Sequence, residues 1–150
     1  RGAGDGCNIN IPLHAGAGHT AYLHVMDRIV TPALTAFEPD IIIVACGYDA
    51  AVVDPLACMQ ATAETFGEMT KRIKSIAADL CEGRLVLVHE GGYSEAYVPF
   101  CGHATIATLA GSAITAPDPY AQAFHKRQPL PDFDAFLMQS IDTMATQLEL

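Results

Sequence analysis

Apolar positions along the chain switch between two periods. At residues 8–13, NINIPL, polar and apolar residues alternate, which predicts a short half-buried strand closed by Pro12. A Gly-rich loop, HAGAGH at 14–19, follows, with Thr20 as the expected cap of a helix. Tyr22, Val25, Met26, Ile29, Val30 and Leu34 then keep helical spacing, and Pro32 is expected to bend or shorten that helix before Glu38-Pro39-Asp40 ends it. IIIVA at 41–45 is short, β-branched and apolar throughout, the pattern of a parallel strand buried on both faces.

After a long loop at 46–61, Thr62 is an expected N-cap, and Phe66, Met69, Ile73, Ile76, Ala77 and Leu80 line one face of a helix stopped by Glu82-Gly83. LVLVH at 85–89 reads as a second buried strand and EGGYS as its loop. A further helix is predicted over 95–110, started late or interrupted by Pro99, then a Pro-rich connection at 115–120. A last amphipathic helix is expected over about 132–148, with Phe136, Leu137, Ile141, Met144 and Leu148 facing in. Alternating strands and helices predict an α/β domain with a parallel sheet. Three predicted strands are few for a sheet covered on both faces, so more of the sheet is expected outside these residues. Arg1 in place of an initiator Met, and the loop-like GAGDG after it, carry the same expectation of a larger polypeptide.

Composition narrows the function classes. Acidic residues outnumber basic ones 17 to 8, a formal net charge of -9. That balance argues against non-specific nucleic-acid binding, disfavours an anionic membrane surface and suits cationic ligands. The five cysteines are odd in number, widely spaced and without a CxxC pair, which predicts free thiols in a reducing compartment. With no apolar leader and no long apolar run, a cytoplasmic protein is expected.

The chemistry gathers in two loops. In open parallel sheets ligands bind beyond the carboxyl ends of the strands. There, Cys46-Gly47-Tyr48-Asp49 and Glu90-Gly91-Gly92-Tyr93 each place a polar residue four positions past the predicted strand. If the strands are neighbours, Asp49 and Tyr93 converge. A carboxylate at such a place can bind a metal, and a tyrosine hydroxyl can donate to a developing oxyanion. An Asp after a strand is as often a loop or cap acceptor, and a Tyr after Gly-Gly is more often a packing residue. HAGAGH lacks the ending of a phosphate loop. His19 and His24 stand on different sides of a helix, Cys101 and His103 have adverse helical spacing, and His89 and Cys46 read as strand-end packing.

The run PDIIIVACGYDAAVVDPLACM, then TAETFGEMTKRIKSIAADLCEGRLVLVHEGGYSEAYVPFCG, resembles the C-terminal half of histone deacetylases. GAGDGCNINIPLHAGAGHTAYL is similar to the segment that precedes it in that family, and EGGYSEAYVPFCG with PDPYAQAF resembles the bacterial class II histone-deacetylase-like amidohydrolases. The resemblance implies an arginase/deacetylase-like, three-layer αβα domain of which residues 1–150 are the C-terminal portion. It implies an amide hydrolase that uses zinc to remove acetyl or other acyl groups from acetyl-lysine or similar amines. By this resemblance Asp49 is a zinc ligand and Tyr93 the donor to the tetrahedral oxyanion. Gly91 and Gly92 stand beside the acyl-lysine tunnel and Leu56 on its wall. Asp54 holds its loop rather than binding metal. The family's paired general-base histidines, its other two zinc ligands and most of its potassium sites precede these residues, so the 150 residues alone are expected to be inactive. Acetylpolyamines are the alternative substrates, and a non-catalytic α/β binding fragment is the alternative of another class. Related bacterial enzymes often self-associate, which makes a homo-oligomer an expectation too.

Overall fold

A computed structural model describes residues 2–4 and 6–150; Arg1 and Asp5, part of the opening run read as loop, lie outside the described residues. In chain order the elements are α1 (His19–Val25), a π-helical turn (Met26–Val30), α2 (Thr31–Phe37), β1 (Ile42–Cys46), α3 (Ala63–Cys81), β2 (Leu85–His89), α4 (Val98–Ala110), α5 (Ala121–His125) and α6 (Pro131–Gln147). β1 and β2 pair in parallel, from Ile42 opposite Leu85 to Cys46 opposite His89. α3 is the crossover between them and packs on α4. The α/β class with a parallel sheet is as expected.

Pro32 does not end the first helix. Its missing N–H removes one hydrogen bond, and its ring would crowd the carbonyl four residues back. The backbone widens into the π-helical turn just before it, where both the amide and the hydroxyl of Thr31 donate to Met26 O, the latter at 2.8 Å. Helix α1 starts at His19 with Gly18 as its cap, not Thr20, and no side chain caps it. Gly18 lies flush under the later chain: a Cβ there would come within 2.6 Å of Pro129 Cδ.

α3 is capped as predicted. The Thr65 amide donates to Thr62 Oγ1 at 3.4 Å and the Thr62 amide to Thr65 Oγ1 at 3.0 Å, a reciprocal box built from two threonines. At its other end Glu82 (φ 54) and Gly83 (φ 77) turn left-handed, and the Gly83 amide returns to Ala77 O at 2.9 Å. Ile73, Ile76 and Ala77 bury against Ile42 beneath the sheet. Leu137, Ile141 and Ala145 of α6 bury against Ala21, Val25 and Ile29. Phe136 of that helix (48% exposed) and Leu148 just past its end (36%) face outward, contrary to expectation, because only the stripe carrying Leu137 and Ile141 meets α1.

Two strand expectations are corrected. Residues 8–13 form no strand, and the sheet has two strands among the described residues. A period-2 pattern reports that one face is apolar, not that a neighbour is there to pair. Here Ile9 and Ile11 meet that need by lining an apolar groove along β1. Nor are both sheet faces covered. Ile42 is 6% exposed, but Ile43 is 65% and Val88 45% exposed on the opposite face. No helix among the described residues is long and apolar enough to cross a membrane.

All five cysteines are free thiols, with Cys7 and Cys58 exposed and Cys81 and Cys101 buried. Burial, with Asp118 nearby, pushes the Cys101 thiol up to about 12, so its reactive thiolate is scarce at ordinary pH. Iodoacetamide at pH 8 should therefore label Cys7 and Cys58 in folded protein, and Cys81 and Cys101 only after denaturation. Peptide mass mapping checks this; early labelling of Cys101 would contradict the packing described.

Candidate active site

The loops that follow β1 and β2 run side by side because the ladder continues past the strands. Glu90 N donates to Cys46 O at 3.1 Å, and Tyr48 N donates to Gly91 O at 2.8 Å. β1 ends at Cys46, one residue later than predicted, so Asp49 is three positions past its strand and Tyr93 four past His89. Tyr48 turns inward, 6% exposed, and packs edge-on against Phe66 with ring centres 5.1 Å apart. His89 tilts onto Tyr48 at 5.2 Å, and its Nε2 lies 3.2 Å from Gly91 O. These contacts agree with a packing role for His89.

Glycines make room for the Asp49 carboxylate. A Cβ on Gly91 would lie 2.7 Å from Asp49 Oδ2, and one on Gly47 would lie 2.8 Å from Oδ1. Any side chain at either place would displace the carboxylate. Among the described residues no donor bonds its oxygens. Its charge is felt by Tyr22 of α1, whose phenol is pushed up to about 12 by burial first and Asp49 second. The helical spacing of Tyr22 carries no signal for this neighbour. Gly92 has φ +129, and a Cβ there would lie 3.0 Å from both Tyr48 Cβ and Val98 Cγ2.

Asp54 joins the two loops. It is 8% exposed, and each carboxylate oxygen accepts one backbone N–H: Oδ1 from Leu56 and Oδ2 from Tyr93, both at 2.8 Å. Charge-assisted bonds of this kind are among the stronger ones. Tyr93 (55% exposed) and Leu56 (72%) thus share one anchor while their side chains stand free at the surface.

An unpartnered carboxylate in a glycine cradle has the chemistry of a single metal-ligand position. Among the described residues no group of three His, Cys, Asp or Glu side chains could hold a metal. His19 bonds Thr65 Oγ1 at 3.0 Å and His24 bonds Asp142 at 2.9 Å, while Cys101 is wholly buried. An apolar cavity runs along β1 and reaches the site loops at Cys46 and Gly47.

A histone deacetylase domain profile matches residues 1–109. The chain belongs to the histone deacetylase family. It is 48% identical over 147 residues to the histone deacetylase-like amidohydrolase of Pseudomonas aeruginosa, covering 98% of this chain and 39% of that protein. A probable deacetylase of Archaeoglobus fulgidus is 40% identical over 123 residues, 79% of this chain and 34% of that protein. Among solved structures, the HDA15 HD domain superposes with TM-score 0.69 at 28% identity, over 99% of this chain and 40% of that one. The histone deacetylase Clr3 gives 0.74 at 26% identity, over 99% and 23%. The fold is therefore that of the arginase/deacetylase type, and the chain spans about two fifths of the length of the bacterial relative.

Two changes test the site's construction in the full-length gene product. Gly92→Ala should lower unfolding free energy by roughly 1–3 kcal/mol, since the positive φ and both close neighbours oppose a Cβ; denaturant melts measure it, and a neutral result would contradict the turn. Asp54→Ala should release both loops, so that limited proteolysis cuts first within residues 47–61 and 90–97; an unchanged cleavage pattern would show that the carboxylate is not their tie.

Proposed function

We propose that these residues form the Asp49–Tyr93 side of a zinc-dependent amide hydrolase acting on acetyl-lysine or similar acyl amines. The observation that carries the reading is that the two strand-end loops run side by side and are tied by Asp54, one carrying the unpartnered Asp49 carboxylate and the other the exposed Tyr93. Family membership supports the reaction class. Residues 1–150 are read as the C-terminal portion of one catalytic domain, with the paired general-base histidines and two further zinc ligands upstream.

Asp49 would hold the metal through oxygen, beside Gly47 and Gly91. Zinc at that place would supply Lewis-acid polarisation of the amide carbonyl and a more acidic bound water. The Tyr93 hydroxyl would donate to the substrate carbonyl and then more strongly to the oxyanion it becomes, which is why it speeds the reaction rather than only binding. Leu56 would offer an apolar wall to the acyl-lysine stem, and Gly91 and Gly92 a backbone flank with no side chain in its way. The net charge of -9 favours cationic amine substrates, which include acetylpolyamines beside acetylated peptides.

In full-length gene product, Tyr93→Phe should lower kcat on an acetyl-lysine amide by about 10²–10³-fold with little change in KM. Asp49→Asn should reduce bound zinc, read by elemental analysis, as well as activity. Parent protein that binds zinc but cleaves neither an acetylated peptide nor acetylputrescine would end the hydrolase reading, and unchanged function in Tyr93→Phe would favour a binding module. Relative rates on the two substrates separate lysine from polyamine specificity.

A further inference from the structure

Tyr97 lies four residues beyond Tyr93 and is wholly buried. A buried phenol needs hydrogen-bond partners, and this one has two. Its oxygen accepts from Ala63 N at 2.9 Å, the first amide of α3, which has no partner inside its own helix. Because the amide must be the donor there, the phenol's single proton is left for Asp118 Oδ2, also at 2.9 Å. Burial, and to a lesser degree Asp118, push the phenol's pKa up, so it stays protonated and keeps donating.

Asp118 belongs to a stretch that otherwise runs exposed along the surface. Its second oxygen accepts from Tyr120 N at 2.8 Å, which fixes the carboxylate at the head of α5. From there residues 118–128 return to the core cluster that holds Tyr48, Ala63 and Tyr97. Phe124 meets Tyr97 edge-on, with ring centres 4.7 Å apart. The Gln128 side chain accepts from His19 N at 2.8 Å and donates to Gln60 O at 2.9 Å. This strap therefore reaches the start of α1, the end of the first site loop, the start of α3 and the start of α4.

The turn that carries Tyr93 is fixed at its back end by Tyr97. Ser94 O accepts from Tyr97 N at 3.0 Å and from Val98 N at 2.9 Å. Its front end is fixed by Asp54 on Tyr93 N. A tyrosine that must aim one proton at an oxyanion depends on that turn not drifting, since small misplacement of a reacting group costs rate steeply. The family match ends at residue 109, before Asp118, so the strap lies beyond the shared family pattern, while the similarity to the Pseudomonas amidohydrolase covers 98% of this chain.

We propose that Tyr97 and Asp118 are positioning residues for Tyr93: the Tyr97 hydroxyl, held between Ala63 N and Asp118, clamps the Ser94 turn and so sets the aim of the Tyr93 hydroxyl. The inference rests on the hydrolase reading above and adds a part of the chain that the family pattern does not reach.

A double-mutant cycle in the zinc-loaded full-length gene product tests it, using an acetyl-lysine amide and the parent, Tyr97→Phe, Tyr93→Phe and double variants. Tyr97→Phe should lower kcat about tenfold with KM within about twofold. In the Tyr93→Phe background the same change should alter kcat by less than about twofold, because there is no hydroxyl left to aim. Lys74→Met, which releases the carbonyls of Thr108 and Leu109 at the far end of α4, should leave kcat unchanged and controls for general loosening of that helix. An equal loss from Tyr97→Phe in both backgrounds, or none in the parent, overturns the clamp and leaves the hydrolase reading standing. A Tyr93→Phe variant as active as the parent overturns both. If Tyr97→Phe is recovered only as insoluble protein, Asp118→Asn takes its place in the cycle, with an expected loss of about threefold and the same criteria.

Discussion

Parallel pairing of β1 and β2 continues beyond both strands, through Glu90 N to Cys46 O and Tyr48 N to Gly91 O, and every feature of the site hangs on that continuation. It forces two loops that are 43 residues apart by register, Cys46 opposite His89, to leave the sheet as neighbours. Once they run together, glycine is needed wherever one loop passes the Asp49 carboxylate, and both Gly47 and Gly91 are such places. That the loops carrying Asp49 and Tyr93 lie side by side follows from backbone hydrogen bonding before any side chain chooses a partner.

Buried polar groups then convert two adjacent loops into one fixed arrangement. Asp54 has little water available and satisfies both oxygens with backbone amides from different loops. Tyr97 does the same with a single hydroxyl, between α3 and Asp118. Such groups are costly to leave unpaired, so they resist sliding of one loop past the other more firmly than apolar contacts, which tolerate small shifts. Apolar packing of Tyr48, Phe66, Tyr97 and Phe124 supplies the floor beneath them.

Both faces of the strands are apolar in sequence, yet only one is covered here, with Ile43 and Val86 open to solvent. Strand composition records the environment a strand is suited to, and among the described residues only one of the two apolar faces has that environment. The bacterial and archaeal relatives that this chain matches are more than twice as long.

Local chemistry is what the chain determined by itself. Thr62 as a cap, the turn at Glu82-Gly83, the two β-branched strands and the helical faces of α3 were legible because each depends on residues within a turn or two of one another. Asp49, Gly91, Gly92 and Tyr93 could be nominated because strand ends in parallel sheets are where loops carry chemistry, and the resemblance gave them roles. Tertiary structure decided the rest. No spacing rule tells that Asp54 reaches Tyr93, that Tyr22 lies near Asp49, or that Tyr97 meets Asp118, since each contact joins elements placed together only by packing. For the same reason residues 8–13 carry a strand's pattern without a strand's partner: alternation is a property of the segment, but a ladder requires a second backbone at hydrogen-bonding distance.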